Sequence, residues 1–247
     1  MNGPRPSRRA CLIVIPAAVA LAVLTALVVA ARGVPFPVDA ALHDAALERR
    51  SAGAVDVAKL LTDTGTGLAA YTLAALAGWI ACHRARVVLA SVAVLALGQL
   101  VRMTVRVTVD RPRPPLADRV TDSSGAAFPS GHATTSAIVA GLLAWALLRV
   151  APPLAGRVAA ACCALWAIGV AATRVYLGVH WPTDIVGGWL LATCWLVLTL
   201  PVLTAYTDRQ SRRTGPPAGD AADSAAGAGE RDGERSGRAP GTGRPRA

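Results

Sequence analysis

Three ionisable side chains lie close together in residues 173–184, between two long apolar segments: Arg174, His180 and Asp184. Such groups cost free energy at the edge of a membrane span unless they pair or bind something, so together they indicate a functional site. Their types suit phosphoryl transfer. His180 offers a ring nitrogen as nucleophile, Asp184 can hold its other ring nitrogen, and Arg174 can donate two N–H groups to phosphate oxygens.

An earlier segment supplies groups that favour an anion. Ser130 and Gly131 come just before an apolar run predicted to be helical, where free backbone N–H groups and the helix dipole attract negative charge. His132 begins the same run and can protonate a leaving-group oxygen, an effect typically worth about 10²- to 10⁴-fold in rate. Three arginines further upstream would donate charge-assisted hydrogen bonds to the same anion. They are Arg106, Arg111 and Arg113.

The composition predicts an integral membrane domain and not a soluble one. The chain has 247 residues, of which 53% are hydrophobic and 16% charged, and it carries a net charge of +10. Lys59 is its only lysine, and most arginines flank apolar segments, which is typical of a topology signal and not of a nucleic-acid interface. The five cysteines lie in apolar runs or at their ends without metal-pair spacing, so we interpret them as buried hydrophobic residues.

Six apolar segments predict an all-α polytopic membrane protein with six transmembrane helices. They are residues 10–31, 67–82, 87–104, 132–149, 158–172 and 185–206. The first is longer than the roughly 7 to 15 apolar residues of a signal peptide, so we expect it to be a retained helix.

The connection between the first two apolar segments, residues 32–66, is polar. Apolar residues recur in it at helical spacing, which predicts an amphipathic helix on the membrane surface. They are Val38, Leu42, Ala45 and Ala46. His43 in this connection and His83 further along the chain have no recognisable partners, and we expect both to be solvated.

The predicted organisation has three parts. Residues 1–9 form a cytoplasmic N-terminus, residues 10–206 the membrane domain, and residues 207–247 a disordered cytoplasmic tail without any aliphatic run. The short arginine-bearing connections all fall on one side, which the positive-inside rule assigns to the cytoplasm. The opposite side holds residues 105–131 and 175–183, so we expect the site at the extracytoplasmic face.

Three segments together resemble the signature of the type 2 phosphatidic acid phosphatase (PAP2) superfamily. The family pattern is Lys-x6-Arg-Pro, Pro-Ser-Gly-His and Ser-Arg-x5-His-x3-Asp, and it aligns with residues 106–114, 129–132 and 173–184. Two positions depart from it, because Arg106 replaces the lysine and Thr173 replaces the serine. Neither change removes a reacting group, but Arg106 could alter rate or substrate preference, since arginine and lysine bind phosphate differently.

The resemblance implies a PAP2-like helical bundle and a two-step mechanism that uses no metal or other cofactor. His180, held by Asp184, would attack phosphorus while His132 protonates the departing oxygen, and water would then hydrolyse the phosphohistidine. The implied phosphate-binding residues are Arg106, Arg113, Ser130, Gly131 and Arg174. Independently of the resemblance, the aspartates between the motifs are too irregularly spaced to indicate an Mg²⁺ site. They are Asp110, Asp118 and Asp122.

Some of these side chains also have simpler structural interpretations. Arg102 lies one helical turn before Arg106, and we expect it to extend from the end of its helix towards the membrane surface. Arg111 either binds the anion or orients its own loop by pairing with an acidic neighbour. Ser130 could act only as a helix cap.

The predicted function is hydrolysis of a lipid phosphate or lipid diphosphate at the extracytoplasmic face of the cell membrane. Undecaprenyl diphosphate, phosphatidic acid and phosphatidylglycerophosphate all fit, and the orientation of the site favours the isoprenoid diphosphate. The expected partners are this lipid and the bilayer, with no nucleic acid, and the sequence contains no signal for oligomeric state. Two alternatives stay open: a lipid phosphotransferase that uses the same histidine, and a catalytically silent scaffold or transporter. The six apolar segments disfavour a vanadate-dependent haloperoxidase, since those enzymes are soluble.

Overall fold

The fold is all-helical over residues 8–212, the part of the chain that this computed structural model describes. Within that part there are eight α-helices, one 3₁₀ turn and no strand, which confirms the predicted all-α class. The helices are α1 (Arg8–Ala30), α2 (Pro37–Glu48), α3 (Ala52–Asp63), α4 (Gly67–Ala81), α5 (Ala85–Val109), α6 (Gly131–Val150), α7 (Pro153–Tyr176) and α8 (Pro182–Arg212), and the 3₁₀ turn is Leu116–Asp118 in the loop between α5 and α6.

Five of these helices are long and apolar enough to cross a membrane: α1, α5, α6, α7 and α8. The remaining apolar helix, α4, has 15 residues, so it is about 22 Å long against roughly 30 Å for the hydrocarbon core of a bilayer. The chain is therefore a multi-pass membrane protein with five clear candidate spans. The predicted count of six depends on α4.

The observed helices extend beyond the predicted segments, most clearly at the end of α8. Residues 207–212 were predicted to begin a disordered tail, and this is wrong because they continue the helix. Thr207 is fully buried and donates to the carbonyl of Leu203 at 2.8 Å, and Asp208 pairs with Arg149 of α6. The rest of the predicted tail, residues 213–247, and most of the predicted N-terminus, residues 1–7, lie outside the described residues.

The central helix of the bundle is α6, which packs against α4, α5 and α7. Its residues Ile138, Val139 and Leu142 are fully buried, together with Leu95 of α5. The side of α4 that faces them consists of small residues, which lets helix backbones approach closely. They are Ala70, Ala74 and Ala77.

The connection before α4 folds as two short helices, α2 and α3, and α2 covers the residues predicted to form an amphipathic helix on the membrane surface. Val38 and Leu42 of its apolar face are about half exposed, whereas Asp39 and His43 are buried. The expectation that His43 is solvated is therefore wrong: its Nε2 lies 3.2 Å from Oδ2 of Asp118, which joins α2 to the 3₁₀ turn. The polar side of α2 faces the protein because Asp118, the partner of His43, lies on that side.

Close packing of α4 against α5 depends on Gly78. A Cβ at this position would lie 2.7 Å from Cα of Val88 and 2.9 Å from the carbonyl oxygen of Val87, both of which are backbone atoms that cannot rotate away. We therefore expect Gly78→Ala to destabilise the protein by about 1 to 3 kcal/mol, measured by thermal unfolding in detergent. Gly53→Ala is the matched control, since a Cβ there meets nothing within 4 Å. Equal stability of the two variants would contradict this packing.

Candidate active site

A cavity of about 400 Å³ lies where the C-terminal ends of α5 and α7 meet the N-terminal ends of α4 and α6. Residues from all three sequence motifs line it. They include Arg106, Arg113, Gly131, His132, Arg174 and His180. The structure thus brings together six of the eight predicted site residues at one cavity surface.

His180 lies in the short turn between α7 and α8, with its ring held from both sides. Its Nδ1 is 3.3 Å from Oδ2 of Asp184, and its Nε2 is 3.0 Å from Nη1 of Arg113. Because arginine only donates hydrogen bonds, Nε2 is the acceptor and Nδ1 carries the proton that is donated to Asp184. The nitrogen that lacks a proton is therefore the one beside the cavity arginine, as a nucleophile requires.

The charge state of His180 follows from its burial. Burial lowers the pKa of His180 to about 4, and the hydrogen bond and charge of Asp184 only partly oppose this shift. The nearby positive charges of Arg113 and Arg174 lower it further. The ring is consequently neutral at physiological pH and keeps its lone pair.

The turn that carries His180 requires a glycine two residues earlier. Gly178 has φ of +73°, and a Cβ there would lie 2.3 Å from the carbonyl oxygen of Asp118. Only glycine adopts this backbone conformation without strain and also permits so close an approach. This tight turn brings His180 directly after the end of α7, next to Arg174.

Arg106 and Arg113 approach the cavity from the end of α5 and the loop after it. Arg106 donates from Nε to the carbonyl of Ala126 at 3.0 Å and from Nη2 to that of Ser124. Arg113 donates to the carbonyls of Gly125 at 2.9 Å and, through Nη1, Val179 at 2.7 Å. Burial and, secondarily, the charge of Arg106 lower the pKa of Arg113 to about 10, so Arg113 stays protonated at neutral pH.

Arg174 and Thr173 lie near the C-terminal end of α7 and have different hydrogen-bond partners. Arg174 lines the cavity, donates from Nη1 to Oγ1 of Thr62 at 3.1 Å, and has no partner for its Nε among the described residues. Thr173 donates its hydroxyl to the carbonyl of Val170 at 2.6 Å. Thr173 and the serine of the family pattern both have a hydroxyl group. In this structure the hydroxyl of Thr173 is hydrogen-bonded to the backbone of its own helix.

Arg102 is also a cavity residue, although the sequence favoured a position towards the membrane surface. Its Nε donates to Oε1 of Gln99 at 2.8 Å, and Gln99 in turn contacts Thr135 of α6. The four-residue spacing of Arg102 and Arg106 was the available signal, because it puts both on one face of α5.

The positive charge of this cavity is balanced only in part, because Asp122 is the one carboxylate among the described residues that line it. None of the four arginines that line it belongs to an ion pair within residues 8–212. They are Arg102, Arg106, Arg113 and Arg174. An excess of buried and half-buried cations over carboxylates in a cavity favours the binding of an anion.

The start of α6 contributes His132, Gly131 and Ser130. His132 lines the cavity, with Nε2 3.3 Å from Oγ1 of Thr66. Gly131 also lines it, whereas Ser130 is fully buried and its Oγ accepts from the N–H of Ala133 as a helix cap. A contact of the Ser130 side chain with phosphate stays a prediction.

Two further residues, Arg111 and Asp39, are buried behind His180. Arg111 is the nearer of the two along the hydrogen-bonded chain, because it contacts Asp184 directly. It does not line the cavity; its Nη1 donates to Oδ1 of Asp184 at 2.6 Å and its Nη2 to Oδ2 of Asp39 at 2.7 Å. This agrees with the interpretation that Arg111 pairs with an acidic neighbour. The sequence reasoning missed Asp39, which looks like an ordinary carboxylate in the first turn of a helix.

Comparison with known proteins agrees with this geometry. The family model described as PAP2 superfamily matches residues 87–208, which include all three motifs. Those residues are a PAP2 domain. It comprises α5 to α7 and most of α8, while α1 to α4 precede it.

Curated relatives match part of the chain. The phosphatidylglycerophosphatase B of Bacillus subtilis is 34% identical over 100 residues, which cover 40% of this chain and 49% of that protein. The undecaprenyl-diphosphatase of Sulfolobus acidocaldarius is 32% identical over 95 residues, which cover 36% of this chain and 35% of that protein. The similarity thus spans half or less of the length of these relatives.

A solved structure has the same fold. The crystal structure of a transmembrane PAP2-type phosphatidylglycerolphosphate phosphatase from Bacillus subtilis superimposes with a TM-score of 0.64 at 24% identity. The match covers 77% of this chain and 96% of that one. The PAP2 helical bundle predicted from the motifs is therefore the fold of this protein.

We expect His180 to reduce stability in acid. A histidine in the unfolded chain titrates near pH 6.5, and the buried ring near pH 4. Between these values the unfolded state binds more protons, so stability is lost as pH falls. From pH 7.5 to 5.0 the loss is on the order of 2 kcal/mol. His180→Gln, which cannot be protonated, should lack this part of the pH dependence in thermal unfolding.

The matched control for that measurement is His83→Gln, since His83 is exposed and lies at the opposite end of the bundle, between α4 and α5. This variant should keep the pH dependence of the wild type. If the unfolding temperatures of His180→Gln and wild type fall in parallel between pH 7.5 and 5.0, the ring of His180 is not held neutral by burial.

Proposed function

We propose that this protein is a membrane phosphatase that hydrolyses a lipid phosphate or lipid diphosphate through a phosphohistidine intermediate on His180. The observation that carries the proposal is that Nε2 of His180 faces a cavity lined by four arginines that have no carboxylate partner within the described residues. The names of the relatives, which concern phosphatidylglycerophosphate and undecaprenyl diphosphate, support the same class of substrate.

In the first step, Nε2 of His180 attacks phosphorus in line as the bond from phosphorus to the lipid oxygen breaks. His132 donates a proton to that departing oxygen. Asp184 stabilises the positive charge that the ring of His180 acquires, because it accepts the hydrogen bond from Nδ1. The guanidinium groups of Arg113 and Arg174 bind the equatorial oxygens, where charge is spread in the transition state.

In the second step, water attacks the phosphohistidine. His132, now without its proton, accepts a proton from that water, and the bond between phosphorus and Nε2 of His180 breaks. Inorganic phosphate leaves, and both histidines return to their initial states. This chemistry needs no metal, since the arginines supply the positive charge.

The distribution of arginine supports an extracytoplasmic active site and six crossings. The cavity lies at the C-terminal ends of α5 and α7, so the turns at the other ends of these helices lie on the opposite side of the membrane. Those turns and the helix ends beside them carry Arg84, Arg86, Arg149 and Arg157, which the positive-inside rule places in the cytoplasm. If α4 is the short sixth span, both termini are cytoplasmic as well.

The number of arginines favours a headgroup with two phosphates. A terminal phosphate monoester carries a charge of about −1.5 to −2 at pH 7, which two guanidinium groups can balance. Arg102 and Arg106 are additional to Arg113 and Arg174, the pair beside His180. Undecaprenyl diphosphate and phosphatidylglycerophosphate, with two phosphate groups each, therefore fit better than phosphatidic acid.

The deciding experiment is phosphate release from these three lipids in detergent with EDTA present. Wild type should release phosphate from at least one of them, and His180→Ala should release none above background, because the nucleophile is absent. His83→Ala serves as the control, since it removes an exposed histidine. Equal release by wild type and His180→Ala would contradict the phosphohistidine. No release by folded wild type without an added acceptor would favour a phosphotransferase.

Arg102 provides a test of the second phosphate. A charge-assisted hydrogen bond is worth about 1.5 to 3 kcal/mol, so Arg102→Gln should raise KM for a two-phosphate lipid by roughly 10- to 100-fold. For phosphatidic acid the increase should be smaller. Arg86→Gln, which removes an exposed arginine at the opposite end of α5, should leave KM unchanged. Equal effects of Arg102→Gln on one-phosphate and two-phosphate lipids would show that Arg102 does not bind a second phosphate.

A further inference from the structure

A chain of buried polar groups leads away from the cavity behind His180. It runs from His180 to Asp184, from Asp184 to Arg111 and from Arg111 to Asp39, with distances of 3.3, 2.6 and 2.7 Å. Every member is at most 2% exposed. Burial of so many ionisable groups is costly unless each is paired, so their arrangement is specific.

Asp184 uses both of its oxygens. Oδ2 accepts from the backbone N–H of Trp181 at 2.8 Å and from the ring of His180, and Oδ1 accepts from Arg111. With Arg111 present, the carboxylate cannot rotate without breaking a buried hydrogen bond. Without it, Oδ1 would lose its charged donor, and the carboxylate would be held only on the side of His180.

Asp39 gives Arg111 a second fixed partner. Its two oxygens accept from Arg111, from the backbone N–H of Thr183 at 2.9 Å and from the hydroxyl of Thr183 at 2.8 Å. The guanidinium also lies over the ring of Phe36, with 5.7 Å from Cζ to the ring centroid. Nη1 of Arg111 also donates to the hydroxyl of Thr183 at 2.7 Å. Arg111 is thereby held on one side by α2 and on the other by Thr183 and Asp184 at the start of α8.

We infer that Arg111 and Asp39 are positioning residues for the nucleophile: Arg111 fixes the carboxylate of Asp184 so that Nε2 of His180 points into the cavity, and Asp39 fixes Arg111. Neither residue lines the cavity, so neither touches phosphate. The inference rests on the proposed phosphatase function. Asp39 lies outside the PAP2 match at residues 87–208, so α2 adds a part to the site that the three motifs do not contain.

A positioning role predicts an effect on turnover and not on substrate affinity. The phosphate is bound by arginines of the cavity, which the substitution of Arg111 leaves in place. The attack geometry of His180 depends on Asp184, and a misplacement of about 1 Å can cost on the order of 100-fold in rate. We therefore expect Arg111→Gln to lower kcat by about 10- to 100-fold and to change KM by less than about threefold.

The test compares Arg111→Gln, Asp39→Asn and the double variant with wild type, on the lipid that wild type hydrolyses best. Asp39→Asn should lower kcat by a smaller factor, since Arg111 still holds Asp184. Arg119→Gln is the matched control, because Arg119 lies in the same loop and its guanidinium donates to the backbone carbonyl of Pro114, at 2.9 and 2.6 Å. Its kcat should stay within about twofold of wild type.

Thermal unfolding of the same variants separates positioning from stability. Arg111→Gln leaves Asp39 as a buried anion without its cation, so this variant should be less stable. The double variant removes that anion and should recover much of the stability, yet its kcat should stay low because Asp184 still lacks Arg111. If Arg111→Gln does not fold, the double variant alone carries the comparison of kcat and KM.

Three outcomes would overturn the inference. The first is a double variant whose kcat recovers together with its stability, which would make the network purely structural. The second is an increase in KM with unchanged kcat in Arg111→Gln, which would mean that Arg111 binds substrate. The third is an unchanged kcat in folded Arg111→Gln. Absence of phosphate release by wild type is a different result, because it would overturn the proposed function itself and this inference with it.

Discussion

The buried carboxylate of Asp184 is the group on which the geometry of the cavity depends. It receives hydrogen bonds from Trp181, His180 and Arg111, and its side chain is fully buried. If either oxygen turned away, a buried donor would be left unsatisfied, which typically costs about 1 to 3 kcal/mol or more. The orientation of the His180 ring is therefore set by contacts on the side of the ring that faces away from the cavity. The hydrogen bond from Arg113 then holds the other side.

Four arginines can share one cavity because uncharged groups, and not carboxylates, accept their hydrogen bonds. Arg102 donates to the side chain of Gln99, and Arg174 donates to the hydroxyl of Thr62. Arg106 and Arg174 lie in the last turns of α5 and α7, where the negative end of the helix dipole stabilises a cation. Arg106 and Arg113 also donate to carbonyls of residues 124–126. A carbonyl satisfies an N–H group without cancelling the charge of the guanidinium. The positive field thus remains available for an anion, and the N-terminus of α6 adds to it.

The sequence predicted the meeting of the three motifs because each lies at the end of an apolar segment, and the order of the segments decides which ends are neighbours. The ends of the helices were less predictable, since residues such as Asp208 interrupt the apolar pattern but find partners in the fold. The polar contacts of α2 could not be predicted. Its apolar residues indicated a face for the membrane surface, but they did not indicate that Asp39 pairs with Arg111, 72 positions along the chain. A single pair so distant in sequence leaves no local pattern.

The helices before the PAP2 domain supply contacts that the motifs lack. Asp39 of α2 holds Arg111, Thr62 of α3 accepts from Arg174, and Thr66 before α4 lies 3.3 Å from His132. None of these three residues belongs to residues 87–208. In the proposed mechanism the motifs provide the reacting and phosphate-binding groups, while the N-terminal helices fix several of their orientations. In that mechanism α2 acts through Arg111 and Asp184 on the orientation of His180, which affects the rate of the bound complex and much less its phosphate affinity. The helix α3 acts instead on Arg174, which binds phosphate, because Thr62 accepts a hydrogen bond from its guanidinium group.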